Sequence, residues 1–149
     1  MKIMVSACLL GQMCKYNGES NRNERLIRLL SGHDVIPVCP EVLGGLPVPR
    51  KPAEIVRGEV INRDGVSVDA AFRAGAEKAL LTAMEEKPDL IILQSRSPSC
   101  GVNGIYDGSF SGKMIPGRGV FADMLLKKGF PAVDVEDSFD KLERLSFSD

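Results

Sequence analysis

Residues 89–101 read Asp-Leu-Ile-Ile-Leu-Gln-Ser-Arg-Ser-Pro-Ser-Cys-Gly. The run Leu90 to Leu93 is apolar at every position, which predicts a strand covered on both faces, as in a parallel sheet held between helix layers. The strand gives way to a polar turn that ends on Cys100. The same arrangement occurs twice upstream. Lys2 to Ala7 is a short apolar strand that stops at Cys8, and Asp34-Val-Ile-Pro-Val38 is a β-branched strand that reaches Cys39 and is closed by Pro40, which cannot donate to a ladder.

Helical patterns lie between these strands. Leu26, Ile27, Leu29 and Leu30 recur at helical spacing within Asn23 to Leu30. Asp69 reads as the N-cap of a long helix carrying Ala71, Phe72, Ala76, Ala79, Leu80 and Ala83 on its apolar side, with Lys87 before the stop at Pro88. A helix over Val120 to Lys128 and a strand over Pro131 to Val135 complete the alternation. The pattern predicts an α/β fold: residues 1–149 as a single domain, a three-layer αβα sandwich around a mostly parallel, Rossmann-like sheet.

Three connecting segments stand out. Glu41 to Ala53 is so rich in glycine and proline that it reads as a constrained loop. Ile55 to Val68 places Asn62-Arg-Asp-Gly65 between β-prone runs, which predicts a small hairpin turning there. Val102 to Gly119 contains Gly104, Gly108, Gly112, Gly117 and Gly119, and is expected to be a long irregular loop with a functional role.

Right-handed crossovers bring the C-terminal ends of parallel strands to one edge of the sheet, where ligands of such folds bind. Cys8, Cys39 and Cys100 each follow a predicted strand, so the topology alone draws three thiols together. Soft thiolates select zinc, copper(I) and iron–sulfur clusters. Structural zinc favours closely spaced ligand pairs, and this chain has no Cys-x-x-Cys. A cubane held by three cysteines would keep one iron open to a substrate, which suits Lewis-acid chemistry more than electron transfer. Buried inert thiols are the plain alternative. Cys14, the fourth thiol, reads as a ligand, a nucleophile or a loop residue without a role.

Composition narrows the classes further. Apolar residues make up 44% and charged residues 26% of the chain, a globular composition. Nineteen basic residues nearly balance twenty acidic ones with no basic stripe, so nothing predicts a nucleic-acid surface. The N-terminal apolar run meets Gly11 too soon for a signal peptide or membrane span, and a cytoplasmic location with reduced thiols is expected.

Three longer motifs carry a resemblance: Ser6-Ala-Cys-Leu-Leu-Gly11, Pro37-Val-Cys-Pro-Glu-Val-Leu-Gly-Gly-Leu-Pro47 with Pro49-Arg50 and Pro52-Ala-Glu54, and Ser97-Pro-Ser-Cys-Gly101 with Ile105-Tyr-Asp-Gly-Ser-Phe-Ser-Gly112. In this order they resemble the family of former unknown-function domains that includes the thiouracil desulfidases, over nearly the whole chain. The resemblance implies a [4Fe-4S] cluster bound by Cys8, Cys39 and Cys100 with one open iron. It implies non-redox replacement of the sulfur of a thiolated pyrimidine by oxygen, assisted by Glu41 and Ser97. A free small-molecule base is the implied partner, with no membrane. One departure stands out: where the family tends to show Arg-Tyr-Asp-Gly, this chain has Lys15-Tyr-Asn-Gly18, and Asn17 lacks the charge.

Plainer readings exist for the remaining residues. Glu41 can cap a loop or helix end, and Ser97 can shape the turn before Pro98. Arg50 reads as a ligand anchor or a loop brace, Tyr106 and Asp107 as the pocket mouth or a turn, and His33 as a surface residue. A non-catalytic redox-sensing module that holds a cluster or metal on the same cysteines is the rival function, and thiolated nucleosides or RNA are alternative substrates.

Overall fold

The computed structural model describes residues 1–148, with side chains through Arg144. Four parallel strands form the central sheet in the order β2-β1-β5-β8: β1 (Lys2–Ser6), β2 (Asp34–Val38), β5 (Leu90–Leu93) and β8 (Ala132–Asp134). The intervening strands belong to two antiparallel hairpins, β3 (Ala53–Val56) with β4 (Glu59–Asn62) and β6 (Gly104–Tyr106) with β7 (Met114–Pro116). The sheet matches the expected α/β architecture.

Strand alternation divides the core between two helix layers. Met4, Ile91 and Leu93 pack with Phe72, Ala76 and Ala79 of α3 (Asp69–Glu86) and with Phe121 and Leu125 of α4 (Val120–Lys127). Ile3, Val5 and Ile92 pack on the other side with Leu26 of α1 (Glu24–Leu29) and Leu142 of α5 (Val135–Ser148). Among the described residues no helix is long and apolar enough to cross a membrane.

Four local readings change. Pro40–Leu43 is a helical turn, α2, inside what reads as loop: Pro40 at its first position costs no hydrogen bond there, and glycines enter only after it. The first hairpin turns at Arg57-Gly58, both with positive φ, while Asn62 to Gly65 forms a second turn that brings Ser67 back to Ile61. Asp69 is the first residue of α3 and not its cap, because its carboxylate accepts from Val60 N and pairs with Arg73. The stretch after Val102, expected as a long irregular loop, contains the β6–β7 hairpin, and its glycines serve close approaches and turns. Helix α5 has no counterpart in the sequence reading.

One packing contact bears directly on the site. A β-carbon on Gly75 of α3 would lie 1.8 Å from Pro40 O, and one on Gly44 would lie 2.1 Å from Ala71 O. The α2 and α3 backbones therefore touch, and this fixes the short helix that follows Cys39.

Candidate functional site

The chain runs outward from β1 to β2 and then returns across β1 to β5, so the strand order reverses between β1 and β5. In open α/β sheets the crevice beyond the C-terminal ends at such a reversal is the usual ligand site. A cavity of about 960 Å³ opens there, and Cys8, Cys14, Cys39, Cys100, Glu41 and Ser97 all line it. Cys8 lies in a 3-10 turn after β1, Cys39 sits at the N-cap of α2 after β2, and Cys100 ends the turn after β5.

Each of these sulfurs has a donor. Asn21 Nδ2 lies 3.5 Å from Cys8 Sγ, and Ser99 Oγ lies 3.6 Å from Cys100 Sγ, with Ser6 as a further donor to Cys100. Cys39 accepts the thiol hydrogen of Cys14 and the N–H of Val42. Burial pushes the Cys100 thiol up to about 12 and raises Cys8 against the pull of Asn21. Cys39 moves the other way, because the Cys14 hydrogen bond outweighs its burial, and Cys14 is raised as the donor. The fourth thiol, whose role the sequence leaves open, is thus joined to Cys39.

These thiols suit a sulfur-bridged metal cluster. Among the described residues no three His, Cys, Asp or Glu side chains stand close enough to grip one ion. A cubane asks for less, since each iron takes a single thiolate, and hydrogen bonds to ligand sulfurs are among the means by which proteins tune such clusters. Bound irons would also offset the burial that holds Cys8 and Cys100 protonated.

Beside the thiols runs a chain of polar side chains. Arg50 lies 3.2 Å through Nε and 3.1 Å through its terminal nitrogen from Glu41 Oε1, and the two side chains are only 8% and 15% exposed. The guanidinium also donates to Cys14 O at 2.9 Å and Pro47 O at 3.2 Å, bracing the loops around it. The other Glu41 oxygen, Oε2, accepts from Ser99 Oγ at 2.7 Å, and Ser99 Oγ lies 2.9 Å from Ser97 Oγ. Gly119 seats this turn against α4, since a β-carbon there would lie 2.5 Å from the Ser99 carbonyl carbon.

A model of the 2-thiouracil desulfurase family matches residues 3–137. The chain belongs to that family. A relative from Bacillus subtilis (strain 168), the uncharacterized protein YbbK, is 37% identical over 150 residues, covering 94% of this chain and 99% of its own. A solved structure described as the [4Fe-4S]-dependent thiouracil desulfidase TudS superposes with a TM-score of 0.88 at 39% identity, over 99% of this chain and 97% of that one.

Among the family motifs quoted above, Glu41, Arg50, Glu54, Ser97 and Tyr106 border the cavity. Asn17 does not line it; its side chain turns to Glu19 at the surface. Asp107 is likewise a turn residue, bonded to Ser109. Sequence reasoning missed Ser99, Asn21 and the structural use of Glu54, whose Oε1 accepts from Gly108 N at 3.0 Å and Phe110 N at 3.2 Å. Ser99 stands in plain view within Ser-Pro-Ser-Cys, but nothing in that motif says which hydroxyl meets Glu41.

Proposed function

We propose that this chain is a [4Fe-4S]-dependent, non-redox desulfidase that replaces the sulfur of a thiolated pyrimidine, of the 2-thiouracil kind, with oxygen and releases sulfide. The observation that carries the reading is the meeting of Cys8, Cys39 and Cys100 in one cavity with the Arg50–Glu41–Ser99–Ser97 chain beside them. Family membership and the likeness to TudS support it.

Cys8, Cys39 and Cys100 would hold the cluster, leaving one iron free. When bound, the cluster supplies a soft Lewis acid that polarises a thiocarbonyl. The rest of the work falls to the chain. Arg50 fixes one oxygen of Glu41 and leaves Oε2 to exchange a proton, so Glu41 takes up the proton of the attacking water. Ser97 supplies a hydroxyl at the cavity wall, with its oxygen fixed by the N–H groups of Ser99 and Cys100 at 3.1 Å each. Thiocarbonyl and water become carbonyl and hydrogen sulfide, with no electrons transferred. All four cysteines are free thiols, which suits the cytoplasmic location proposed with this function.

The test is anaerobic reconstitution followed by assays for iron, acid-labile sulfide and sulfide release from 2-thiouracil. About four irons per chain with turnover is the expected result. Cys39→Ala should lose both the cluster and turnover. Wild-type turnover in a cluster-free Cys39→Ala protein would overturn the mechanism.

A further inference from the structure

We infer that Asn21 is a positioning residue whose side-chain amide donates to the Cys8 sulfur and so tunes the cluster through that ligand, an inference that rests on the cluster reading above. Asn21 Nδ2 lies 3.5 Å from Cys8 Sγ, and the Asn21 backbone N–H donates to Cys8 O at 3.0 Å. One residue is thus tied twice to one cysteine, through main chain and side chain, although 13 positions separate the two.

The segment around Asn21 is fixed from both sides. Gly11, with φ of +100°, ends the 3-10 turn that holds Cys8 and also donates to Cys8 O, at 3.2 Å. Arg22 lies across Gly11, where an added β-carbon would meet its Nη1 at 2.7 Å. Asn23 donates to Leu9 O at 3.0 Å, and its Oδ1 accepts from Leu26 N to cap α1. Leu26 is buried in the same core as Ile3 and Val5 of β1, the strand that leads to Cys8. The chain therefore returns to the strand it left, and helix α1 holds Asn21 in place against Cys8.

A carboxamide suits this position. It carries no charge at any working pH, so it is a constant donor that brings no ion to the cavity it lines. Hydrogen bonds to ligand sulfurs help set the potential of iron–sulfur centres. They favour the reduced form, because reduction adds negative charge that the sulfurs share. The amide of Asn21 thus raises the potential and draws electron density from one ligand, which suits irons that act as a Lewis acid.

The experiment uses the full chain, reconstituted anaerobically, as wild type and as Asn21→Leu, which nearly keeps the side chain's shape and removes its donor. Iron content, midpoint potential and sulfide release from 2-thiouracil are measured for both. Asn21→Leu should hold about four irons, as wild type does. Its potential should fall by about 59 mV, a tenfold change in a one-electron equilibrium. A potential that stays put or rises would overturn the inference.

The wild type alone decides the matter if Asn21→Leu takes up no iron. Asparagine labelled with ¹⁵N in its side-chain amide should give a weak ¹⁵N coupling in pulsed EPR of the dithionite-reduced cluster, since among the described residues Asn21 is the asparagine bonded to a sulfur. No coupling in the loaded wild type would overturn the inference. The two readings fail separately. A loaded wild type that shows the coupling but releases no sulfide overturns the desulfidase and supports the Asn21 donor, whereas turnover without the coupling overturns the donor alone.

Discussion

Glu41 and Glu54 border the same cavity from different elements, one from α2 and the other from β3. Glu54 is 9% exposed, and its Oε1 takes two backbone N–H groups of the loop between β6 and β7. Those donors have no other use for their hydrogens, so that carboxylate is part of the scaffold, a pin that seats Phe110 at the cavity edge. Glu41 is pinned on one side only. Arg50 holds Oε1, and Oε2 faces a hydroxyl that can give up its hydrogen. Two carboxylates of one type at the same cavity thus differ in their partners, backbone amides for Glu54 and a guanidinium and a hydroxyl for Glu41, which suits Glu54 to architecture and Glu41 to the proton transfer proposed for it.

The largest effect should come from removing the titratable oxygen. Glu41→Gln is expected to lower kcat by about 100-fold or more, the range of general acid–base catalysis, with iron content and melting temperature near wild type. Steady-state kinetics beside calorimetry separates this from a folding defect. Loss of stability without loss of turnover would reverse the roles assigned to the two glutamates.

The α2 wall should be rigid where it meets α3. Gly75→Ala must push the two backbones apart and should cost about 1–3 kcal/mol, the usual overpacking penalty, in urea unfolding of the cluster-free chain. An unchanged midpoint would mean that α2 moves aside freely.

Glu54→Ala should behave as the mirror of Glu41→Gln. It leaves the N–H groups of Gly108 and Phe110 without their acceptor, a loss of about 1–3 kcal/mol, while kcat is retained and KM rises. Urea melts and a KM-against-kcat comparison check it.

The smallest effect concerns the cluster-free thiols. Cys39 is held down to about 7, by the Cys14 hydrogen bond first, so its thiolate fraction and its alkylation rate should climb as pH rises through 7 and then level off. Cys100, pushed up to about 12, should lag throughout this range. Cys14→Ala removes the donor and should shift the Cys39 profile to higher pH, measured by iodoacetamide labelling and peptide mass spectrometry.

The sheet was legible because its strands announce themselves locally. Leu90 to Leu93 are apolar without interruption, and all four are buried in the central strand β5. Convergence of Cys8, Cys39 and Cys100 on one cavity followed from topology, since parallel strands end on the same edge. The β6–β7 hairpin was not legible: its glycines allow tight approaches, such as Gly104 to Ile115 O at 3.2 Å for an added β-carbon, and read locally as breakers. α5 went unread because its first residues, Val135 to Ser138, follow β8 without a loop to mark a boundary. The pairing of Glu41 with Ser99 spans 58 positions, and that of Glu54 with Phe110 spans 56. No local pattern encodes either.

By itself, the sequence determined the strand–helix alternation, the edge at which the thiols gather, and the soft donor set they offer, because hydrophobic period and residue type are properties of short segments. Only the tertiary structure decided that Cys14 serves Cys39, that Ser99 rather than Ser97 touches Glu41, and that Glu54 holds a loop. Those are choices among hydrogen-bond partners a few ångströms apart, and they are made only when distant segments have packed.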